Sequence, residues 1–442
     1  MTYRIGVGAG FADDRMDPAG RLIAEGELDA LGFECLAERT IALAHAGMAS
    51  GRRPGYDPKI LRRLEAVLPD AARQGVSILT NAGAADPVGA ARAARELADG
   101  LGLSSVEVAA VTGDDVLDRL DPDSRIVGTD QTLRDLGDRI ISANAYLGTD
   151  GLVAALDQGA SVVVAGRVSD SAIFAAPIMH HYGWGLDDWD RMADCVLVGH
   201  LLECGGQLSG GYFADGDRKV VLGLATLGFP FADVEPGGSA TYSKVSGTGG
   251  LISAATVLEQ LLYEVDDPRR YLTPDVVLDM SRAAIEQVGH DTVKVSGAAQ
   301  AGRPDQLKVS VGVRDGFLAV AEIVYVGRRA TTRARIAAEI VTERWSVVHH
   351  RDPSEVRVDY VGLNAGRAWY EPAEEPPEVV LRLAVRTFDD CVARLLVEET
   401  GALYTNGPFG GGGVTSRITE TVGLVSTFID RNAVQSRTEI VR

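Results

Sequence analysis

The chain has 442 residues, 46% of them hydrophobic and 24% charged, with 62 acidic against 43 basic side chains and a formal net charge of −19. That length allows two or three domains of ordinary size, and so acidic a chain repels phosphate backbones, which excludes nucleic acid and anionic membrane surfaces as general partners. The cysteines Cys35, Cys195, Cys204 and Cys391 form no CxxC pair, so neither a zinc framework nor a disulfide framework is expected.

"MTYRIGVGAGF" enters a strand directly, with no basic-then-apolar leader. No apolar stretch is long enough to span a bilayer, so a cytoplasmic protein is expected. Six units of one grammar follow, each a short apolar run, a polar loop and a helical pattern. The runs are "YRIGVGAG", "LDALGFEC", "VSILTNAG", "SVEVAAVTG", "RIISANAYLG" and "SVVVAGRVSD". They are Val/Ile-rich and nearly continuous, as strands covered on both faces are. Helix signals follow them, such as Asp86 before Pro87 and the closing Gly183. The pattern predicts an α/β fold, a parallel sheet with helices on its faces, either doubly wound or a partial barrel. The first domain is placed at 1–215.

Beyond about Tyr212 the chain becomes turn-rich, and later segments alternate, as in "QLKVSVGVRDGFLAVAEIVYVG" and "VVLRLAVRTF". A second, α+β domain with antiparallel strands is placed at 216–442. Within it Glu371 to Glu378, "EPAEEPPE", reads as a polar surface loop.

Ligands in parallel α/β folds sit at the carboxyl ends of the strands, so the strand-end loops carry the first candidates. These are Glu34 and Arg39 in "FECLAER", Asn81 in "TNAGAADP", and Arg167 and Asp170 in "GRVSD". Converging carboxylates, amides and arginines suit acid/base work on a carbonyl or carboxylate substrate. Each of them also has the plain role of a cap or turn residue. Arg167 either grips an anion or fastens its loop to Asp170. In "GHLLECGGQ", His200 and Glu203 fall on one helix face at i, i+3, a proton-moving pair or a structural helix end.

Two glycine-rich stretches carry the second set. "KVSGTGGLIS" places Lys244, Thr248, Gly249 and Gly250 where backbone N–H groups opening a helix would cradle an anion. "LYTNGPFGGGG" offers Asn406, Gly410, Gly411 and Gly412 as a second backbone nest. Two nests suit a diphosphate-bearing ligand such as coenzyme A. Neither GxxxxGK[ST] nor a complete GxGxxG is present.

With these segments "RIGVGAGFADDR", "LTNAGAADP", "VVAGRVSD", "GHLLECGGQ", "EQLLYEVDDPRRYLTPDV" and "LYTNGPFGGGG" in order along nearly the whole chain, the sequence resembles the acyclic terpene utilisation (AtuA) family. The resemblance implies metabolism of branched acyl-CoA intermediates from acyclic terpenols. It transfers no catalytic residues. The expectation is a lyase or hydratase acting on a carboxylate or coenzyme A thioester, with coenzyme A as part of the substrate, in a homo-oligomer. The other reading is a non-catalytic scaffold working with a carboxylase or a small ferredoxin-like partner. That partner is expected because many relatives carry such a module after the point where this chain stops, Arg442.

Overall fold

A computed structural model describes residues 2–363, 365 and 376–442. The chain divides into two compact units, Met1–Val313 with Leu424–Arg442 (unit 1), and Arg314–Gly423 (unit 2). The change of pattern near Tyr212 falls inside unit 1. The loop expected over 371–378 lies outside the described residues at 371–375.

The first half runs β1 (Tyr3–Ala9), α1 (Asp17–Glu25), β2 (Ala30–Phe33), α2 (Glu38–Ala49), α3 (Lys59–Gln74), β3 (Ser77–Thr80), α4 (Pro87–Gly100), β4 (Val108–Thr112), β5 (Ile140–Ala145), α5 (Asp150–Asp157), β6 (Val162–Ala165), α6 (Ala172–Tyr182) and α7 (Trp189–Leu202). The rest runs β7 (Pro230–Val234), β8 (Ala240–Lys244), α8 (Ala254–Leu261), β9 (Tyr271–Leu272), β10 (Val277–Asp279), β11 (Ala284–Gly289), β12 (Thr292–Ser296), β13 (Ala299–Gln300), β14 (Gln306–Val326), α9 (Ala330–Val347), β15 (Arg357–Val361), β16 (Glu378–Thr387), α10 (Asp390–Asn406), β17 (Gly411–Asp430) and β18 (Arg437–Val441).

Unit 1 is built on an open ten-stranded sheet in the order β11-β12-β8-β7-β1-β2-β3-β6-β4-β18. Its centre, β1-β2-β3-β6-β4, is parallel. Every residue of β2 and of β6 is buried, which is why these runs do not alternate. Their side chains divide between two cores. Ala30, Leu79 and Val163 pack under α5, α6 and α7. Leu31, Ile78 and Val164 pack under α1, α3 and α4. β7 adds to β1 antiparallel, and β18 closes the far edge antiparallel to β4.

The run "RIISANA" is the exception to the expected six parallel strands. β5 lies outside the parallel sheet and pairs antiparallel with β14, placing Ala145 opposite Val309 and Asn144 opposite Ser310. Ser142 and Asn144 alternate with Ala143 and Ala145 along it. Buried polar side chains at every second position need partners that a two-sided apolar core does not supply. Asn144 finds one in Asp114, donating from Nδ2 at 2.9 Å.

In unit 2, β16 buries Val379, Leu381, Leu383 and Val385 and leaves the alternate residues part-exposed. One face is therefore covered, and α9 and α10 share its core through Trp345, Val341 and Leu396.

Candidate functional site

Polar residues follow the parallel strands within two positions of their carboxyl ends: Glu34 after β2, Asn81 after β3, Asp114 after β4 and Arg167 after β6. Asn81 clasps the first two loops together. Its Oδ1 accepts the Cys35 N–H at 2.7 Å, and its Nδ2 donates to Glu34 Oε1 at 2.9 Å. The Leu36 N–H donates to the same Oε1 at 2.9 Å. Two donors on one oxygen leave Oε2 as the seat of a proton. Burial, and then the Asp170 carboxylate, push the Glu34 acid up to about 8.

Arg167 is buried and makes its bonds inside the protein. Nη1 donates to Leu36 O at 2.5 Å, Nε to Val168 O at 2.9 Å, and Nη2 to Val168 O at 2.6 Å and to Asp170 Oδ1. These contacts fasten the loop after β6 to the loop after β2. The Tyr146 ring lies 4.5 Å from the guanidinium carbon. The Tyr146 hydroxyl donates to Glu38 Oε1 at 2.7 Å, and Lys308 Nζ stands 2.6 Å from that oxygen.

Asp114, which follows β4, was not among the candidates drawn from the sequence. Its Oδ2 accepts the Arg167 N–H at 3.0 Å, and burial pushes the acid up to about 6. A Cβ at residue 166 would stand 2.6 Å from Asp114 Oδ1, so any residue larger than the native Gly166 would have to displace that carboxylate.

His200 and Glu203 close α7. His200 Nε2 lies 3.1 Å from Leu261 O, so that nitrogen carries the ring hydrogen. Nδ1 faces Glu203 Oε1 at 3.1 Å, and one proton can sit on either atom. Burial pushes Glu203 up to about 7 although His200 draws it down. The end of α7 meets the carboxyl end of β1: a Cβ on Gly10 would be 2.7 Å from Glu203 O. His200 and Glu203 thus belong to the same rim as Glu34.

A cavity of about 1010 Å³ opens in unit 1, with Arg39, Arg167 and Asp170 on its wall. Glu34, Asn81, His200 and Glu203 do not line it; they are buried in the rim. The wall also takes Glu264, Arg270, Tyr271, Arg303 and Lys308, none of which the sequence reading named. The Tyr271 ring lies 4.9 Å from the His200 ring and links that buried pair to the cavity. Glu264 holds φ +59° without being glycine, a conformation costing on the order of 1 kcal/mol. These wall residues come from "YEVDDPRRY" and "AGRPDQLK", stretches of mixed charge that give no clear signal in the sequence.

The "GTGG" loop is arranged differently from the expected cradle. Three residues separate Gly250 from α8, whose cap is Ser253, accepting the Thr256 N–H at 3.3 Å. The N–H groups of Thr248, Gly249 and Gly250 donate to Val245, Thr226 and Leu222 carbonyls at 3.3, 2.8 and 2.8 Å. Lys244 Nζ pairs with Asp291 at 2.8 Å. The donors of this loop are engaged in the fold. A smaller cavity of about 250 Å³ touches Thr248.

Asn406 and Gly410 to Gly412 lie in unit 2, where the chain passes from α10 into β17. Gly410 and Gly413 have φ +78° and +62°, and a Cβ on Gly411 would stand 2.9 Å from Ile323 and 3.0 Å from Tyr325. The glycine run therefore serves a tight turn and a close approach to β14. Asn406 Nδ2 donates to Ala402 O at 3.1 Å.

Among the described residues no group of three or more His, Cys, Asp or Glu side chains is placed to hold a metal ion, and no helix is long and apolar enough to cross a membrane. No match is found among curated proteins or solved structures. The model of one family, described as acyclic terpene utilisation family protein AtuA, matches residues 3–440. The carboxyl-end rim and the cavity thus belong to a chain matched almost from end to end, and this chain is a member of the acyclic terpene utilisation family.

Proposed function

We propose that the chain is a cytoplasmic enzyme of acyclic terpenoid metabolism, a lyase or hydratase acting on a branched carboxylate or its coenzyme A thioester. One observation supports this most. Two buried carboxyls on one rim, Glu34 and Glu203, are raised to about 8 and about 7. Acids of that strength exchange protons near neutral pH, which elimination or hydration next to a carbonyl requires. Asp170 and Tyr271 connect them to the cavity wall. The cavity is large enough for a branched acyl chain with its carbonyl group.

The test begins with thermal-shift titrations of coenzyme A, branched acyl-CoA thioesters and the free acids. A ligand at about 100 times its dissociation constant adds about 2.7 kcal/mol. The ligand that binds is then assayed for loss or gain of water across a carbon–carbon double bond. Glu34→Gln and Glu203→Gln should each lower turnover by about 10²–10⁴-fold. Full turnover in both variants removes these carboxyls from the chemistry.

A further inference from the structure

The cavity wall of unit 1 reverses the charge balance of the chain. Acidic side chains outnumber basic ones 62 to 43 over the sequence. On the wall, Arg39, Arg167, Arg270, Arg303 and Lys308 stand against Glu38, Asp170, Glu264 and Asp305. Two of the cations are neutralised at short range, Arg167 by Asp170 and Lys308 by Glu38. Arg39, Arg270 and Arg303 are exposed and have no ion-pair partner among the described residues.

A like-charge contact adds to this. Arg303 Nε and Arg431 Nη2 both point at the Pro274 carbonyl oxygen. Burial, and then the Arg303 charge, lower the proton affinity of Arg431. The nearby Asp275, with Asp150 and Asp305 beside it, offsets this only in part, since the proton affinity of Arg431 stays lowered. Burial raises the pKa of Asp275, and Thr149 holds its Oδ1 through N–H and Oγ1 at 2.9 and 3.0 Å. Guanidinium groups gathered with incomplete counter-charge repel one another, and an anion relieves that repulsion. Beside them the wall carries apolar surface, with Leu424 and Phe428 37% and 43% exposed.

We infer that this wall binds a ligand handle carrying at least two negative charges, held by Arg39, Arg270 and Arg303, with the apolar part of the ligand on Leu424 and Phe428. Arginine is suited to this task, since its planar fork bonds two oxygens of a phosphate or carboxylate at once. The inference rests on the reading of this cavity as the substrate site, but not on which reaction occurs there. It also moves the anion-binding role away from the "GTGG" loop, whose N–H groups already have partners.

The test is titration of the purified full chain with inorganic pyrophosphate and with citrate, at ionic strength matched by chloride, read by calorimetry and thermal shift. The parent and the Arg62→Gln surface control should bind one or both probes, and the Arg270→Gln/Arg303→Gln double variant at least about tenfold more weakly. Binding of pyrophosphate alone identifies a phosphate handle, and binding of citrate alone a polycarboxylate. Equal binding by the double variant, or no response beyond chloride in the parent, overturns the inference. Should the double variant fail to fold, arginine modification by phenylglyoxal in the parent decides. Protection of Arg270 and Arg303 by the probes supports the site, and unchanged modification overturns it. Failure of the Glu34 and Glu203 variants to alter turnover would sink the reaction while leaving this binding result intact.

Discussion

Glu34 sits where an ionised carboxylate receives little help. Its Oε1 accepts two hydrogen bonds, but the Asp170 charge and the loss of water favour the neutral acid. The unfolded chain releases this proton near 4.5, and the folded chain holds it to about 8. Between those values the folded state binds more protons than the unfolded state, so stability falls as pH rises. The contribution is fully present below about 4.5 and lost as pH passes through about 8. Glu34→Gln keeps an acceptor at Oε1 and removes the titration. This variant should lose less stability than the parent between those pH values, by up to about 1.4 kcal/mol per pH unit. Urea unfolding at several pH values measures it, and parallel pH profiles for the two proteins would refute it. Glu34, Asn81 and Arg167 were legible in the sequence, because each comes at the end of an apolar run with a turn behind it. Tyr271, Arg270 and Arg303 were not. They come from short strands and turns of no marked pattern, and tertiary folding alone brings them to the rim.

The parallel strands that were legible share one property, burial on both faces. β1, β2, β3, β4 and β6 are short apolar runs because helices cover both sides of them. β5 has similar overall apolarity but carries Ser142 and Asn144 on one face, and that alternation is the antiparallel signal. α3 repeats its buried residues at Ile60, Leu64, Val67, Leu68 and Ala71, a helical stripe that the six-unit pattern leaves out. The four consecutive glycines between α10 and β17 show how position decides a glycine's role. Gly411→Ala would drive a methyl into Ile323 and Tyr325, while a Cβ on Gly412 meets nothing within 4 Å. Gly411→Ala is therefore expected to destabilise the protein by about 1–3 kcal/mol, and Gly412→Ala by less than about 1 kcal/mol. Thermal melts of the two variants compare them directly, and equal melting temperatures would refute the close approach.

At the scale of the molecule, the sheet of unit 1 needs strands from both sides of an insertion. β7 covers the β1 edge, and β18 covers the β4 edge after unit 2 has been threaded through. Gly423 lies against Asp315, with a Cβ there 3.4 Å from Asp315 Cβ, so the two crossings of the chain are close together. Joining Val313 to Leu424 through a short Gly/Ser turn should leave unit 1 folded, with its cavity residues in place. A fragment ending at residue 215 should not fold, because β1 and β4 would both present bare edges. Circular dichroism and gel filtration of the two shortened proteins test this. A folded, monomeric 1–215 fragment would contradict it.

The order of the strands also sets a timetable. β4 is made early, but its neighbour β18 begins at Arg437. Translation at about 5–20 residues per second takes about 6–25 s to pass from Val313 to Arg437. Throughout that interval the β4 edge waits on the ribosome with unpaired backbone groups, open to any other extended chain. The last strand therefore works as a latch on a sheet whose other strands come much earlier. Damage to β18 would be felt first as misassembly at the β4 edge during synthesis, far from the place in the sequence where it occurred.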